Sequence, residues 1–440
     1  MSNQAGFLMA KLSMMRVFYT LLFYLAYPAL VLRLLWRGRK NPDYHQRIAE
    51  RFAIYPAHRN CPGVFWFHAV SVGEAEALFP LIRELQARHP NAKWLITTTT
   101  PTGSARVRSV LKETVSHVYL PYDVPDAIER FMRCFKPQLA VFMETEIWPN
   151  IYAYCGQHAI SLYIINARLS EKSARGYRKI PSLIQPALAN ITAIAAQTAD
   201  DQNRFIEIGA NPQHIVTLGN IKFDVNLSQE HLEQGQRLKQ AIFRGRFVWI
   251  CASTHPEEEA ICLTLYQQLK QAIPELLLLI APRHPERFLT VQKLAEHRGF
   301  VTITRSSNLA CLTTTDVYLA DTLGDLKMLY TTADIALVGG SLVPIGGHNI
   351  LEAAVAGVPI LFGPYMNNFK LIAQNILAEQ AAIQCLDDKA LANAVLMLYQ
   401  SPEQRLAMVQ KAKAFIIQNQ GVMLKTCALL ETSLLASSPT

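Results

Sequence analysis

The 440-residue chain lacks most of the short motifs that announce a cofactor or a metal. No GxGxxG follows its first strand-like run and no P-loop lysine motif occurs, which argues against nicotinamide redox chemistry and P-loop NTP hydrolysis. HExxH and CxxC are missing, so no protein-bound zinc site is expected. Asp-x-Asp is absent too, which weighs against a metal-dependent nucleotide-sugar enzyme built on a single sheet. Eight cysteines stand scattered at 61, 134, 155, 251, 262, 311, 385 and 427, a pattern of reduced thiols and a cytoplasmic body rather than a disulfide framework. No internal repeat or low-complexity tract is present, and no small-x-small cleavage site follows the N-terminal apolar run.

What is present is unevenly spread. Residues 1–60 hold nine Lys/Arg and only two acids, Asp43 and Glu50, so they carry seven of the eight net positive charges. A nucleic-acid binder spreads basic residues over its working face, and no nucleic-acid partner is expected here. The charge instead flanks an uncharged run, Val17 to Leu32, which reaches a membrane-crossing length when extended to Trp36. Tyr24, Tyr27 and Trp36 suit a membrane interface, and Arg37, Arg39 and Lys40 a cytoplasmic flank. An anchor that spans, a helix that lies in the membrane plane and a buried core helix all fit this pattern.

Beyond Asn41 the chain takes on an α/β rhythm. Apolar runs predict strands at 64–68, 94–98, 117–120, 139–143, 160–165, 191–196 and 216–218, with helices between them. A polar, strand-free stretch at 226–245 reads as a linker. A second set of strands follows at 247–251, 276–280, 301–304, 316–319, 335–338, 358–361 and 381–385, and helices at 389–399 and 403–419 finish the chain. The expected organisation is an anchor with its basic flank (1–40), a doubly wound domain (41–225), a linker (226–245) and a second doubly wound domain (246–440). Two such domains place strand-end loops at the edges of one cleft, and ligands bind outside the carboxyl ends of parallel strands.

The stretch 339–369 organises the second half. Gly339-Gly340 and Gly346-Gly347 follow a strand, Asn349 can cap a short helix over 350–356, and Gly357 can end it. Such a turn can hold a phosphate, with Glu352 near ribose hydroxyls, or it can be a set of tight turns with a helix-start acid. Other strand ends carry chemistry as well. Glu74 in SVGE begins a helix and suits either a general base or a helix-dipole acid. Glu144 and Glu146 in METE follow an apolar strand and can bind a hydroxylated or cationic group, or simply precede a helix. Arg168 opens a basic region with Lys172, Arg175, Arg178 and Lys179, able to hold phosphates or merely solvated. Arg283 in APRH can clamp an anion bidentately, and DTLGD (321–325) can offer backbone groups to a base or ribose. His68, His255, His284 and His348 in these loops read as hydrogen-bonding residues rather than metal ligands.

Taken together, HAVSVGE (68–74), TTTTPTGS (97–104), METEIWPN (143–150), INARLSEKS (165–173), GNIKFD (219–224), ASTHPEEE (252–259), APRHPERF (281–288), DTLGD (321–325) and GGSLVPIGGHNILEAA (339–354) resemble the 3-deoxy-D-manno-octulosonic acid (Kdo) transferases of lipopolysaccharide assembly. The resemblance runs over nearly the whole chain. It implies a GT-B fold of two Rossmann-like domains facing one cleft, a location at the inner membrane with the catalytic domains on the cytoplasmic side, CMP-Kdo as donor and the lipid A disaccharide precursor, lipid IVA, as acceptor. It implies no cofactor. Carried over by position, Glu74 matches the catalytic base, and Pro282, Arg283, Leu323, Gly324, Asp325, Asn349, Ile350, Leu351 and Glu352 match CMP-binding segments. Asp325 stands where the family more often has Glu, and Ile350 where it often has Pro. With a base at Glu74 and a phosphate leaving toward Arg283 and Asn349, direct displacement with inversion at the anomeric carbon is the expected mechanism. The rival expectations are an enzyme of the same architecture using another nucleotide sugar, and a non-catalytic lipid-binding protein at the membrane surface.

Overall fold

The computed structural model describes residues 2–56 and 59–436, with side chains described for 14–56 and 59–432. The chain divides into two compact units, Met1–Lys222 with Gly421–Thr440, and Phe223–Gln420.

The first unit is built on seven parallel strands: β1 (Val64–His68), β2 (Lys93–Thr98), β3 (Ser116–Tyr119), β4 (Leu139–Met143), β5 (Ser161–Ala167), β6 (Ala193–Ala196) and β7 (Ile215–Thr217). Their order is β3-β2-β1-β4-β5-β6-β7. β1 as far as Phe67 and the whole of β4 are apolar because helices cover both faces of a parallel sheet. Alternate side chains go to opposite faces. Trp66 and Phe142 join the cluster with Phe131 and Tyr152, whereas Phe65, Phe67 and Val141 join the one with Leu78 and Ile82.

The second unit repeats the plan with β8 (Phe247–Thr254), β9 (Leu276–Pro282), β10 (Thr302–Thr304), β11 (Val317–Leu319), β12 (Ile335–Val338), β13 (Ile360–Phe362) and β14 (Ile383–Gln384), in the order β10-β11-β9-β8-β12-β13-β14. In the first sheet the chain winds outward from β1 in both directions; in the second it leaves β8 in both directions, but β10 takes the edge and β11 returns to lie between it and β9. The switch lies between β1 and β4 in one unit and between β8 and β12 in the other. Ligands of doubly wound sheets bind at that point, beyond the carboxyl ends.

All fourteen expected strands form, with ends moved by up to three residues. Two longer-range features differ from the sequence reading. The stretch 226–245 contains helix Gln229–Ala241, capped by Ser228 with His231, and its buried Leu238 packs into the second unit. At the other end, a helix not foreseen from the sequence, Val422–Ala436, leaves the second unit. It buries Val422, Cys427 and Leu430 in the first unit's cluster with Phe65 and Leu78. Apolar spacing predicts that a helix hides one face, but not which sheet hides it.

Residues Met14–Gly38 form a stretch of 25 residues, with mean hydropathy 1.6 over its most apolar 18 residues, long and apolar enough to cross a membrane. They belong to helix Ser2–Gly38, and one face of that helix docks on the first unit. The Tyr19 hydroxyl donates to Asp123 Oδ2 at 2.9 Å, Asn150 Nδ2 donates to Thr20 Oγ1 at 2.9 Å, and the Tyr24 hydroxyl donates to Asp126. The Tyr27 ring packs against Phe52 and Tyr122. The other face leaves Phe18, Leu21, Leu22, Leu25 and Leu32 exposed.

Candidate active site

At the switch point of the first unit, β1 ends at His68 and the chain turns into helix Val72–Arg88. His68 is fully buried and held neutral, its pKa pushed down to about 3 by desolvation, with Nδ1 on Thr97. It is a core residue. Ser71 caps the helix and Glu74 occupies its third position, the S-x-x-E spacing of a capping box. Glu74 Oε1 accepts from the Ser71 hydroxyl at 2.9 Å and Oε2 from the Val70 N–H at 2.8 Å. The carboxylate is therefore oriented by two local donors. Burial raises its pKa above the ordinary carboxylate range, and the charge of Glu144 adds to the rise.

Glu144 follows β4 with a φ of +57°, a left-handed conformation that is strained for a residue with a Cβ. Its Oε2 lies 4.0 Å from Arg168 Nε. Burial, followed by the charge of Glu74, lifts the Glu146 pKa to about 7. Lys222, half-buried on the turn after β7, is in the electrostatic reach of both Glu74 and Glu144, and burial lowers its pKa. The turn is tied down by Asn166, whose Oδ1 accepts from the Ile221 N–H at 3.0 Å. Three carboxylates, Lys222 and Arg168 thus belong to one electrostatic cluster. Lys222 received no role from the sequence. Its signal was the GNIKFD segment, but only the return of β7 beside β6 brings it here. The basic region after Arg168 is largely spent on ion pairs: Arg178 with Glu171 and Glu207, and Arg175 with Glu171.

The raised carboxyl of Glu146 has a stability consequence. Its folded pKa lies above the unfolded value, so its contribution is present below about pH 4.5 and is lost as pH rises through about 7. Glu146→Gln is expected to raise stability over wild type by an amount that grows from near zero at pH 4 to on the order of 2 to 3 kcal/mol at pH 8. Thermal melts across that range check it, and a pH-independent difference would refute it.

In the second unit, β8 and β9 end side by side, and the Arg283 N–H donates to Thr254 O at 3.0 Å. Pro282 is buried and Arg283 exposed. Leu323 and Gly324 are exposed on the turn after β11, with Gly324 at φ +93°. Asp325 accepts from the Thr322 hydroxyl at 2.7 Å and from Arg305 Nε at 3.1 Å, which fixes that turn. After β12, Asn349 Oδ1 accepts from the Leu351 N–H at 3.1 Å and starts helix Leu351–Ala356, which Gly357 ends at φ +75°. The Ile350 and Leu351 side chains are wholly buried, so only their backbone can meet a ligand. Glu352 is half-buried in the first turn.

One residue with no role in the sequence reading holds these turns together. Glu258, fully buried, accepts four backbone N–H bonds: from His255 at 3.0 Å, Gly340 at 2.7 Å, Ser341 at 3.0 Å and Leu342 at 2.9 Å. It clamps the loop after β8 to the glycine turn after β12.

Two parallel doubly wound units, with charged clusters at their switch points, are the architecture of the GT-B class. The crystal structure of a glycosyltransferase from Rickettsia africae matches 86% of this chain and all of its own, with a TM-score of 0.53 at 15% identity. The family profile of the 3-deoxy-D-manno-octulosonic-acid transferases matches residues 46–225. The curated 3-deoxy-D-manno-octulosonic acid transferase of Haemophilus influenzae is 38% identical over 422 residues, covering 95% of this chain and 98% of that one. A crystal structure of the C-terminal CMP-Kdo binding domain of WaaA from Acinetobacter baumannii is 33% identical, covers 43% of this chain and all of that one, and has a TM-score of 0.42. The chain belongs to the Kdo transferase family, glycosyltransferases of lipopolysaccharide synthesis.

Proposed function

We propose that the protein moves Kdo from CMP-Kdo to a hydroxyl of the lipid A disaccharide precursor, lipid IVA, with inversion at the anomeric carbon. Glu74 carries the reading. It is a carboxylate at the first unit's switch point, oriented by two donors and desolvated enough to raise its basicity. It takes the proton of the acceptor hydroxyl as the oxygen attacks. Glu144, Glu146, Arg168 and Lys222 surround the acceptor's sugar and phosphate groups. In the second unit, Arg283 and the backbone around Asn349 to Leu351 receive the phosphate. The Leu323–Asp325 turn covers the base, and Glu352 faces ribose hydroxyls. The anomeric C–O bond breaks with its electron pair going to the CMP phosphate.

A turnover assay tests this: labelled Kdo, CTP, a CMP-Kdo-generating enzyme and tetra-acylated, bis-phosphorylated lipid A precursor. Labelled lipid is the expected product and its mass counts the sugars added. Transfer from a UDP-sugar in place of CMP-Kdo would overturn the donor.

The N-terminal helix attaches the enzyme to the cytoplasmic face of the inner membrane by lying in the membrane plane. From Tyr19 to Leu34 about 22 Å of helix is engaged with the first unit. A spanning helix could not keep Tyr19 and Tyr24 on Asp123 and Asp126 without drawing those carboxylates into hydrocarbon. The outward face, Leu21, Leu22 and Leu25, enters the acyl boundary instead. The triple change Leu21→Ser, Leu22→Ser, Leu25→Ser is expected to move most of the protein from the membrane fraction to the soluble one at unchanged Tm. A triple variant extractable only by detergent would refute the in-plane seat.

A further inference from the structure

The donor turns of the second unit hold a feature that the proposed mechanism does not use. His255 Nε2 and His348 Nε2 lie 2.8 Å apart, with the two rings 4° from parallel. Nitrogens this close must share a proton: one imidazole donates and the other accepts. That bond fixes both tautomers. The accepting ring carries its proton on Nδ1, and the donating ring keeps a bare Nδ1. The bare nitrogen can take one more proton while the bond between the rings survives as a charge-assisted one. A second extra proton would break it, so the pair has a capacity of one.

The surrounding structure is shaped to hold this pair. Gly340, at φ +65°, presses on both rings; a Cβ there would stand 3.0 Å from His348 Cδ2 and 3.5 Å from His255 Cδ2. Glu258 bonds the His255 N–H and the Gly340 N–H with the same carboxylate oxygen, so the two ring-bearing turns cannot separate. The charged neighbours are unbalanced. Arg283 and the His284 ring, 5.4 Å from that of His255, face the pair. Arg287 pairs with Glu259 at 3.2 Å and still bears on His255, and Glu286 sits 3.9 Å from His284 Nδ1. Burial, aided by Arg283 and the neighbouring imidazoles, holds His348 neutral at about 3 and lowers His255 as well. The surroundings are therefore neutral at the pair and cationic beside it. A phosphate dianion reverses this balance. Two unit charges about 4 Å away at a protein-like dielectric shift a titration by roughly six pKa units, enough to bring the pair into its charged form near neutrality.

We propose that His255 and His348 act as a one-proton acceptor in the donor site: binding of the nucleotide phosphate draws a single proton onto the pair, and the resulting imidazole–imidazolium holds the phosphate as it leaves. This rests on the reading that the second unit binds CMP. The proton comes from solvent, no bond other than N–H forms, and the cation meets the second negative charge that the phosphate gains when the anomeric C–O bond breaks.

The test is calorimetry of CMP binding to the full-length protein in detergent at pH 7.5, in HEPES and in Tris, two phosphate-free buffers whose ionisation heats differ. At that pH free CMP is nearly all dianion, since a phosphate monoester has its second pKa at about 6. The expected result is uptake of about one proton per CMP bound, kept in His284→Gln and lost in both His255→Gln and His348→Gln. Wild-type affinity should also weaken toward tenfold per pH unit between pH 7.5 and 8.5, a reading that needs no variant. CMP binding with no proton exchange and a flat pH dependence would overturn the proposal while leaving the donor assignment intact. Uptake that persists in His255→Gln would overturn it too. Failure of folded wild type to bind CMP at any pH would instead remove the donor reading beneath it.

Discussion

Glu74→Gln should lower kcat by about a thousandfold and leave the KM for either substrate within a few-fold of wild type. General-base assistance is worth roughly 10² to 10⁴ in rate. The substitution is chosen because Glu74 has a structural task as well: it is the third residue of helix Val72–Arg88 and completes the cap begun by Ser71. Glutamine serves that position as well as glutamate, since its amide oxygen can accept from the Val70 N–H. A residue that only caps the helix would thus survive the change with activity nearly intact, whereas a base would not. Glu74→Ala removes cap and base together and should cost about 1 kcal/mol of stability in addition. In wild type the acidic limb of kcat/KM should lie above the ordinary carboxylate range, because burial raises the Glu74 pKa and activity requires its anion. The Gln variant should lose that limb. A Gln variant with near-wild-type kcat would assign Glu74 to the cap alone.

Glu258→Ala is expected to be the most damaging single change in the second unit. It strands four N–H groups, those of His255, Gly340, Ser341 and Leu342. A buried donor left unpaired costs about 1 to 3 kcal/mol, so even the low end sums to about 4 kcal/mol, a large share of a typical domain's stability. The Tm of the second unit should fall by more than 10 °C, and CMP binding should weaken by more than a hundredfold at temperatures where the unit still folds. Glutamine is no remedy here, because its NH2 would point a donor at two of the donors it must satisfy. The neighbouring Glu259→Gln is the control. Glu259 pairs with Arg287 at 3.2 Å and takes no backbone amide of the glycine turn, so CMP binding should change only a few-fold. Equal losses in the two variants would mean that the clamp has no special part in the donor site.

Local sequence carried a good deal of this protein. Each strand was legible because a parallel strand covered on both faces is an unbroken apolar run, and β1, β4 and β12 have the expected ends. The turns were legible as well. Glycine, proline and small polar residues after those runs marked the strand ends, and the switch-point rule made those ends the places to look for chemistry. Glu74, Glu144, Arg283 and Asn349 stand at such ends in the structure.

The rest needed the third dimension. Lys222 lies 148 residues from Glu74, and no periodicity in either segment says that β7 returns to that side of the sheet. Glu258 looked like one of three consecutive acids, Glu257 to Glu259, at a helix start. Its four bonds exist only because β12 runs beside β8. The same pairing sets His348 against His255, 93 residues away. The helix Val422–Ala436 could have packed on either sheet, and the N-terminal helix could have stood free of the first sheet. Tyr19, Thr20 and Tyr24 dock it there through partners on a different part of the chain. Hydrophobic pattern is a property of neighbours in sequence, so it determined the elements and their ends. Sheet order is a property of the whole chain, and it alone decided which charges and rings share a site.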